Sequence, residues 1–323
     1  VGSGAVGCFY ASRLHNLSDG VLVSLICRSN YQAVKEHGVR LRTRSYGDYV
    51  FTPENVFKSV EDARNLLWDY IVVATKALPD VSDDSELLSS IVTQDKTTIV
   101  LIQNGIGVEQ PYRVRFPNTP ILSAVTVISA EQTEPGVVVQ NRWTRISIGP
   151  FTDGNGRDNA SLAEPFASLL RKGGIKDAEV YDEQGLQIVR WHKIAINAAM
   201  NPSSVLSGGT PNATMVKDPE LRSHLTNCIE EVFRGASAVT GISFPPPTLA
   251  TAEQIIRSTE RNEGGRPSML LDWERGGAME LEVILGNPIR LALEKGVEMP
   301  RLHAMYALLK TAQSRRDTKG SKL

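Results

Sequence analysis

The chain opens on Gly2-x-Gly4-x-x-Gly7, and an apolar, β-branched run over residues 21–27 follows within the length of one βαβ unit. That pairing constrains the fold more than any other feature. The first glycine permits a tight turn, the second lets backbone approach a pyrophosphate, and the third lets a helix pack closely on a strand. A helix starting there presents unpaired N–H groups to an anion. The strand feeding such a turn falls mostly before Val1, so the start reads as incomplete. Any targeting segment is then out of view; a cytoplasmic location is expected, with organellar targeting left open.

Further strands are expected over residues 69–75, 97–103, 121–129 and 137–148, with a short helix over 8–17. Apolar strands alternating with helical stretches indicate an α/β domain on a mainly parallel sheet. After Pro150 the pattern changes. Residues 153–159 are polar and glycine-rich, as in a linker or surface loop. Beyond them helices are expected over 162–170, 187–200, 218–240, 248–261, 277–295 and 302–315. The division is therefore a dinucleotide-binding Rossmann-like domain over 1–152 and an all-helical domain over 153–323. The 323 residues suffice for two cores. A net charge of -1 gives no electrostatic footprint for nucleic acid, and no apolar run reaches membrane-spanning length. Cys8, Cys27 and Cys228 fit neither a zinc site nor a disulfide framework and read as buried thiols in a reducing compartment.

The residue types at the strand ends suggest chemistry. A site for the unphosphorylated dinucleotide wants an acid after the second strand; this chain has Arg28, whose guanidinium suits a 2′-phosphate, so NADPH is the expected cofactor. Thr75-Lys76 and Gln103-Asn104-Gly105 close two other strands, where ligands gather in open α/β sheets. In the second half Lys193, Asn197 and Asn201 are four apart and share one face of a helix otherwise built of small and apolar residues. Such a face is either a structural hydrogen-bond network or a polar substrate wall. Glu280 and Glu282 sit among apolar neighbours, where an ordinary helix-surface acid is the plainer reading. Ser268 follows a loop over 262–267 and is placed to donate from a flexible segment. His192 points about 100° away from Lys193 on the helix and reads as structural.

In order and spacing these residues resemble the 2-dehydropantoate 2-reductase (ketopantoate reductase) family over nearly the whole chain. The matching segments are the glycine motif, Arg28, Thr75-Lys76, Gln103-Asn104-Gly105, Lys193-x-x-x-Asn197-x-x-x-Asn201, Ser268-Met269-Leu270, Glu280 before Gly286, and Gly296-Val297-Glu298-Met299-Pro300. The resemblance implies a dinucleotide-binding domain joined to a helical one, with the active site in the cleft. It implies reduction of 2-dehydropantoate to (R)-pantoate by NADPH, within coenzyme A and pantothenate biosynthesis. Lys193 resembles the catalytic lysine and Glu280 the active-site acid. Asn104, Asn197, Asn201 and Ser268 resemble the substrate-binding residues, and Lys76 resembles the lysine that lines the cofactor and substrate junction. The implied cofactor contacts are Gly2, Ser3, Gly4, Ala5, Val6, Gly7, Arg28, Thr75, Lys76, Asn104 and Glu280. A protonated lysine stabilises the oxyanion formed on hydride addition and delivers the proton; no metal is required. The partner is a small 2-oxo acid, with no nucleic acid or membrane, and a homodimer is allowed for. Two departures stand out, the acidic stretch over 79–84 and Trp143-Thr144-Arg145. They leave open another 2-oxo acid or ketolactone as substrate, and an NADPH-sensing protein remains the alternative from a different class.

Overall fold

Helix α1 (Ala5–Leu14) starts at Gly4, whose backbone is extended and whose missing side chain supplies no cap. Its register buries Cys8, Phe9, Tyr10, Ala11, Ser12 and Leu14, so little of it meets solvent. The structure is a computed structural model and describes residues 1–152, 160–262 and 266–320. The chain forms two compact units. The first holds Val1–Ala77, Asp83–Asn104 and Val108–Leu186; the second holds Leu78–Ser82, Gly105–Gly107 and Gln187–Leu323.

The first unit is built on β1 (Leu25–Ile26), β2 (Val39–Thr43), β3 (Gly47–Phe51), β4 (Val56–Phe57), β5 (Tyr70–Val73), β6 (Thr98–Leu101), β7 (Ile121–Glu134), β8 (Val137–Pro150) and β9 (Ala178–Val180). The main sheet runs β3-β2-β8-β7-β6-β5, with β9 also on β8. Strands β5, β6 and β7 are parallel to one another, while β7 and β8 form a long antiparallel hairpin. Helices α2 (Tyr31–His37), α3 (Gln110–Arg115) and α4 (Ala160–Lys172) complete this unit. Every position of β6 is buried because both faces of the sheet are covered. Val100 packs with α1 and α4 residues such as Phe9 and Phe166, whereas Ile99 and Leu101 pack with Leu88, Ile91 and Tyr112. Val1 runs beside β5: its amine donates to Val72 O at 2.7 Å and its carbonyl accepts from Ala74 N at 2.8 Å.

The second unit is helical: most of α5 (Glu183–Leu206), then α6 (Asn212–Met215), α7 (Pro219–Thr240), α8 (Ala252–Glu260), α9 (Ser268–Glu274), α10 (Asn287–Glu294) and α11 (Pro300–Gly320). A Rossmann-like α/β domain with a parallel core, followed by a helical domain, is therefore the fold, as its residue patterns indicate. Among the described residues no helix is long and apolar enough to cross a membrane. The three cysteines are free and buried.

Several expected elements differ in detail. Only Leu25–Ile26 of the 21–27 run pairs as a strand, because its ladder partner β4 is itself two residues long. The run over 277–295 is not one helix. Residues 277–280 are irregular, Glu282–Gly286 is a π-helical turn, and α10 follows. Pro288 explains the break, since it has no N–H to give and its ring crowds the preceding turn. Ser268 is the first residue of α9. The β2–β3 hairpin escaped the sequence reading, although Val39, Leu41 and Thr43 are buried and Arg40 and Arg42 exposed in plain alternation. The linker expected over 153–159 and positions 263–265 of the loop over 262–267 lie outside the described residues.

Candidate active site

In the first unit the glycine turn is shaped by contacts that side chains would destroy. Gly2 has φ +89°, and a Cβ there would lie 2.4 Å from Thr75 N; a Cβ on Gly7 would lie 2.2 Å from Gly2 O. A Cβ on Gly4 would meet nothing within 4 Å. The turn is thus tight against protein at Gly2 and Gly7 and open at Gly4. No acid occupies the first turn of α1, so its N–H groups and dipole favour an anion. A dinucleotide pyrophosphate fits this cradle. Ala5 and Val6 are half-buried in that first turn. Ser3 serves the scaffold: its hydroxyl donates to Ile26 O at 2.8 Å, and its carbonyl accepts from buried Asn30 Nδ2 at 2.7 Å. Asn30 also reaches Gln132 at 3.2 Å, tying the turn to β7. Sequence reasoning gave Asn30 no role, and only its place two residues after Arg28 signalled it. Arg28 is exposed just beyond β1.

At the ends of β5 and β6, Thr75 Oγ1 donates to Asp84 at 2.5 Å and accepts from Gln103 Nε2 at 3.0 Å. Asp83 accepts from Ser85 and pairs with Arg115 at 2.8 Å. Burial raises its pKa, but the hydrogen bonds from Ser85 and Arg115 outweigh that and hold it below the usual carboxylate range. Two acids of the unusual 79–84 stretch are therefore committed to neighbours within this unit. Lys76 is exposed and Asn104 half-buried. A cavity of about 670 Å³ opens between β1 and β5 beside the turn, but its walls include Leu25, Ile71 and Phe166 and neither Arg28, Thr75 nor Asn104.

In the second unit α5 carries the polar face that the spacing indicated. Trp191, Ile194, Ala195, Ala198 and Ala199 are buried around it, Lys193 and Asn197 are half-buried, and Asn201 is buried. Burial, then the charge of Arg190, lowers the Lys193 pKa to about 8, while the carboxylate of Glu280 pulls it upward. Lys193 and Glu280 are thus brought together electrostatically. His192 is structural: its Nε2 donates to Ala250 O at 2.8 Å and its ring stacks on Phe233. Ser268 is exposed at the start of α9.

The π-turn separates the two acids. Glu280 lies in the irregular stretch ahead of it, where Met279 N donates to Gln313 at 2.8 Å. Glu282 lies within it and accepts from Tyr306, from Arg290 at 2.7 Å and from Lys310 at 3.0 Å. Burial alone would raise its pKa, but those donors hold it at about 2. Glu282 is a structural anchor. The turn also frees a carbonyl. Asn287 N donates to Glu282 O, and Pro288, next in line, has no N–H. Val283 O therefore accepts from Ile106 N at 2.8 Å. Asn287 Nδ2 donates to Ile106 O at 2.7 Å and buried Arg190 Nη1 to Gly105 O at 2.9 Å. The short segment immediately after Asn104 is thus held by three hydrogen bonds within this unit. Arg190 was missed in the sequence; a charge one turn before Lys193 was its signal.

Residues 1–153 match the family described as ketopantoate reductase PanE/ApbA, and residues 186–313 match its C-terminal domain. An uncharacterised protein of Saccharomyces cerevisiae is 32% identical over 98% of this chain and 93% of its own. The crystal structure of 2-dehydropantoate 2-reductase from Methylococcus capsulatus superposes with a TM-score of 0.82 at 32% identity, covering 98% of this chain and 96% of that one. A D-mandelate dehydrogenase solved with NADH and anilino(oxo)acetate shares the fold, with a TM-score of 0.78 at 21% identity over 98% of this chain and 97% of that one. The chain belongs to the ketopantoate reductase family of oxidoreductases, which use a nicotinamide dinucleotide.

Proposed function

We propose that this protein reduces 2-dehydropantoate to (R)-pantoate with NADPH, Lys193 acting as general acid. The observation that carries the reading is the polar face of α5. Lys193, with its pKa lowered to about 8, stands in line with Asn197 and Asn201 and under the influence of Glu280. A general acid works best when its pKa lies near the working pH. The reduced nicotinamide, when bound, supplies hydride to the carbonyl carbon. Nζ of Lys193 gives its proton to the oxygen, where negative charge develops. Glu280 keeps the amine protonated against its burial. Asn104, Asn197, Asn201, Ser268 and Lys76 hold the 2-oxo acid, mainly by donating to its carboxylate. On the first unit, the turn from Gly2 through Ser3, Gly4, Ala5 and Val6 to Gly7 holds the pyrophosphate. Arg28 holds the 2′-phosphate, and Thr75 stiffens the strand end beside Gly2. The reading extends to a homodimer in the cytoplasm and a place in pantothenate biosynthesis.

The test is turnover of NADPH and of NADH with 2-dehydropantoate, using Lys193→Ala as control. Robust turnover with NADPH, lost in the variant, supports the reading; a parent enzyme inert towards this substrate refutes it. The D-mandelate dehydrogenase fold neighbour motivates a second reading, reduction of an aryl 2-oxo acid with NADH. D-mandelate oxidation with either oxidised cofactor separates the two.

A further inference from the structure

We propose that Arg190 is a positioning residue for this site, a guanidinium clamped on Gly105 O that holds a fixed positive charge one helical turn before Lys193 and, together with burial, makes that lysine more acidic. The inference rests on the reading of Lys193 as the acid. Arg190 is 2% exposed, in a protein where most arginines face water, and its Nη1 donates to Gly105 O at 2.9 Å. Gly105 is itself immobilised: it has φ +110°, its pocket has no room for a Cβ beside Val283, and Ile106 is bonded at both its N–H and its carbonyl. Burial and this hydrogen bond fix where the guanidinium sits. Arg190 and Lys193 are three apart on α5, where side chains are neighbours, and the arginine's charge acts on the lysine.

Among the described residues, Arg190 on its own helix and Glu280 ahead of the π-turn act on the charge of Lys193. They pull in opposite directions. Burial lowers the lysine's pKa most, and Glu280 opposes it. Arg190 adds to the effect of burial by favouring the neutral amine. A guanidinium suits this role because it stays charged at any working pH, so the effect does not titrate away.

The experiment is the pH profile of the chemical step with saturating cofactor and 2-oxo acid, for Arg190→Gln and Arg190→Lys. Reduction needs the protonated lysine, so activity falls as pH rises through the Lys193 pKa. In Arg190→Gln the basic limb is expected to move upward by about 0.5–1 pH unit, with turnover at pH 7 reduced about fivefold as the acid weakens. Arg190→Lys, which keeps the charge, is expected to restore the limb. An unmoved limb in Arg190→Gln overturns the proposal, and so does a limb displaced equally in both variants. Where Arg190→Gln does not fold, Arg190→His, uncharged at the limb, replaces it with the same expectation. The stability of each variant between pH 7 and 10 reads the Lys193 ionisation without catalysis. If Lys193→Ala retains the limb but Arg190→Gln still moves that ionisation, the reading of the acid has failed and the role of Arg190 has not.

Discussion

Replacing Lys193 by methionine should make the protein more stable at neutral pH while abolishing its chemistry. The stem survives, so packing is little changed, and only the ammonium is lost. The magnitude follows from its ionisation. Folding lowers the lysine pKa from 10.5 to about 8. At about 1.4 kcal/mol per pKa unit, the buried charge costs about 3 kcal/mol. The folded-state value is the lower one, so the folded protein binds fewer protons between about 8 and 10.5 and stability rises with pH there. The penalty is complete below that window and gone above it. Lys193→Met never carries it. Its lead over the parent should therefore shrink by about 2–3 kcal/mol between pH 7 and pH 10. Loss of the ammonium also leaves Glu280 without its opposing charge, a cost that varies little over this range, so the pH slope is the cleaner readout. Urea unfolding at a series of pH values measures it, with buried Trp191 as a fluorophore two residues away. A lead that stays constant from pH 7 to 10 would mean that the lysine is not desolvated, and the argument for its acidity would fall. Hydride transfer in the same variant should drop at least about 100-fold.

Arg28→Ala should weaken NADPH binding by about 1.5–3 kcal/mol and leave NADH unchanged; equal loss of both by titration calorimetry would remove the 2′-phosphate assignment. Glu280→Gln and Glu282→Gln, two residues apart, should behave oppositely. The first should lower the pH at which reduction fails with little change in melting. The second should cost about 2–3 kcal/mol of stability at pH 7 and spare the pH profile. Because folding lowers the Glu282 pKa from 4.5 to about 2, that contribution is present above 4.5 and lost as pH falls through about 2, so the gap between parent and variant should close on acidification. Gly105→Ala should lose at least about 2 kcal/mol, since φ is +110° and the new Cβ would lie 2.3 Å from that of Val283; an unchanged melting curve would refute it.

The dinucleotide-binding half was legible because its signals are local. Gly2 and Gly7 are needed within one turn, and β6 is buried at every position because both its faces are covered. Strand ends were blurred where pairing stops for non-local reasons: the 21–27 run has the composition of a long strand, but β4 offers it only two partners. The β2–β3 hairpin was visible in the alternation of Val39, Arg40, Leu41 and Arg42 and went unread.

In the helical half the four-residue spacing of Lys193, Asn197 and Asn201 placed them on one helix face without any tertiary information. Glu280 and Glu282 resisted separation because their difference is not local. What assigns Glu282 to structure is a tyrosine, an arginine and a lysine on α10 and α11, and what leaves Glu280 to act on Lys193 is an irregular stretch pinned by Gln313. Both depend on the π-turn, and that turn depends on Pro288. A proline in the first turn of a helix is usually an unremarkable start signal. Here it also withholds the one N–H that would have occupied Val283 O, and the freed carbonyl takes the backbone of Ile106. The residue that interrupts the helix thus helps to create the acceptor that fixes Gly105, and through it Arg190.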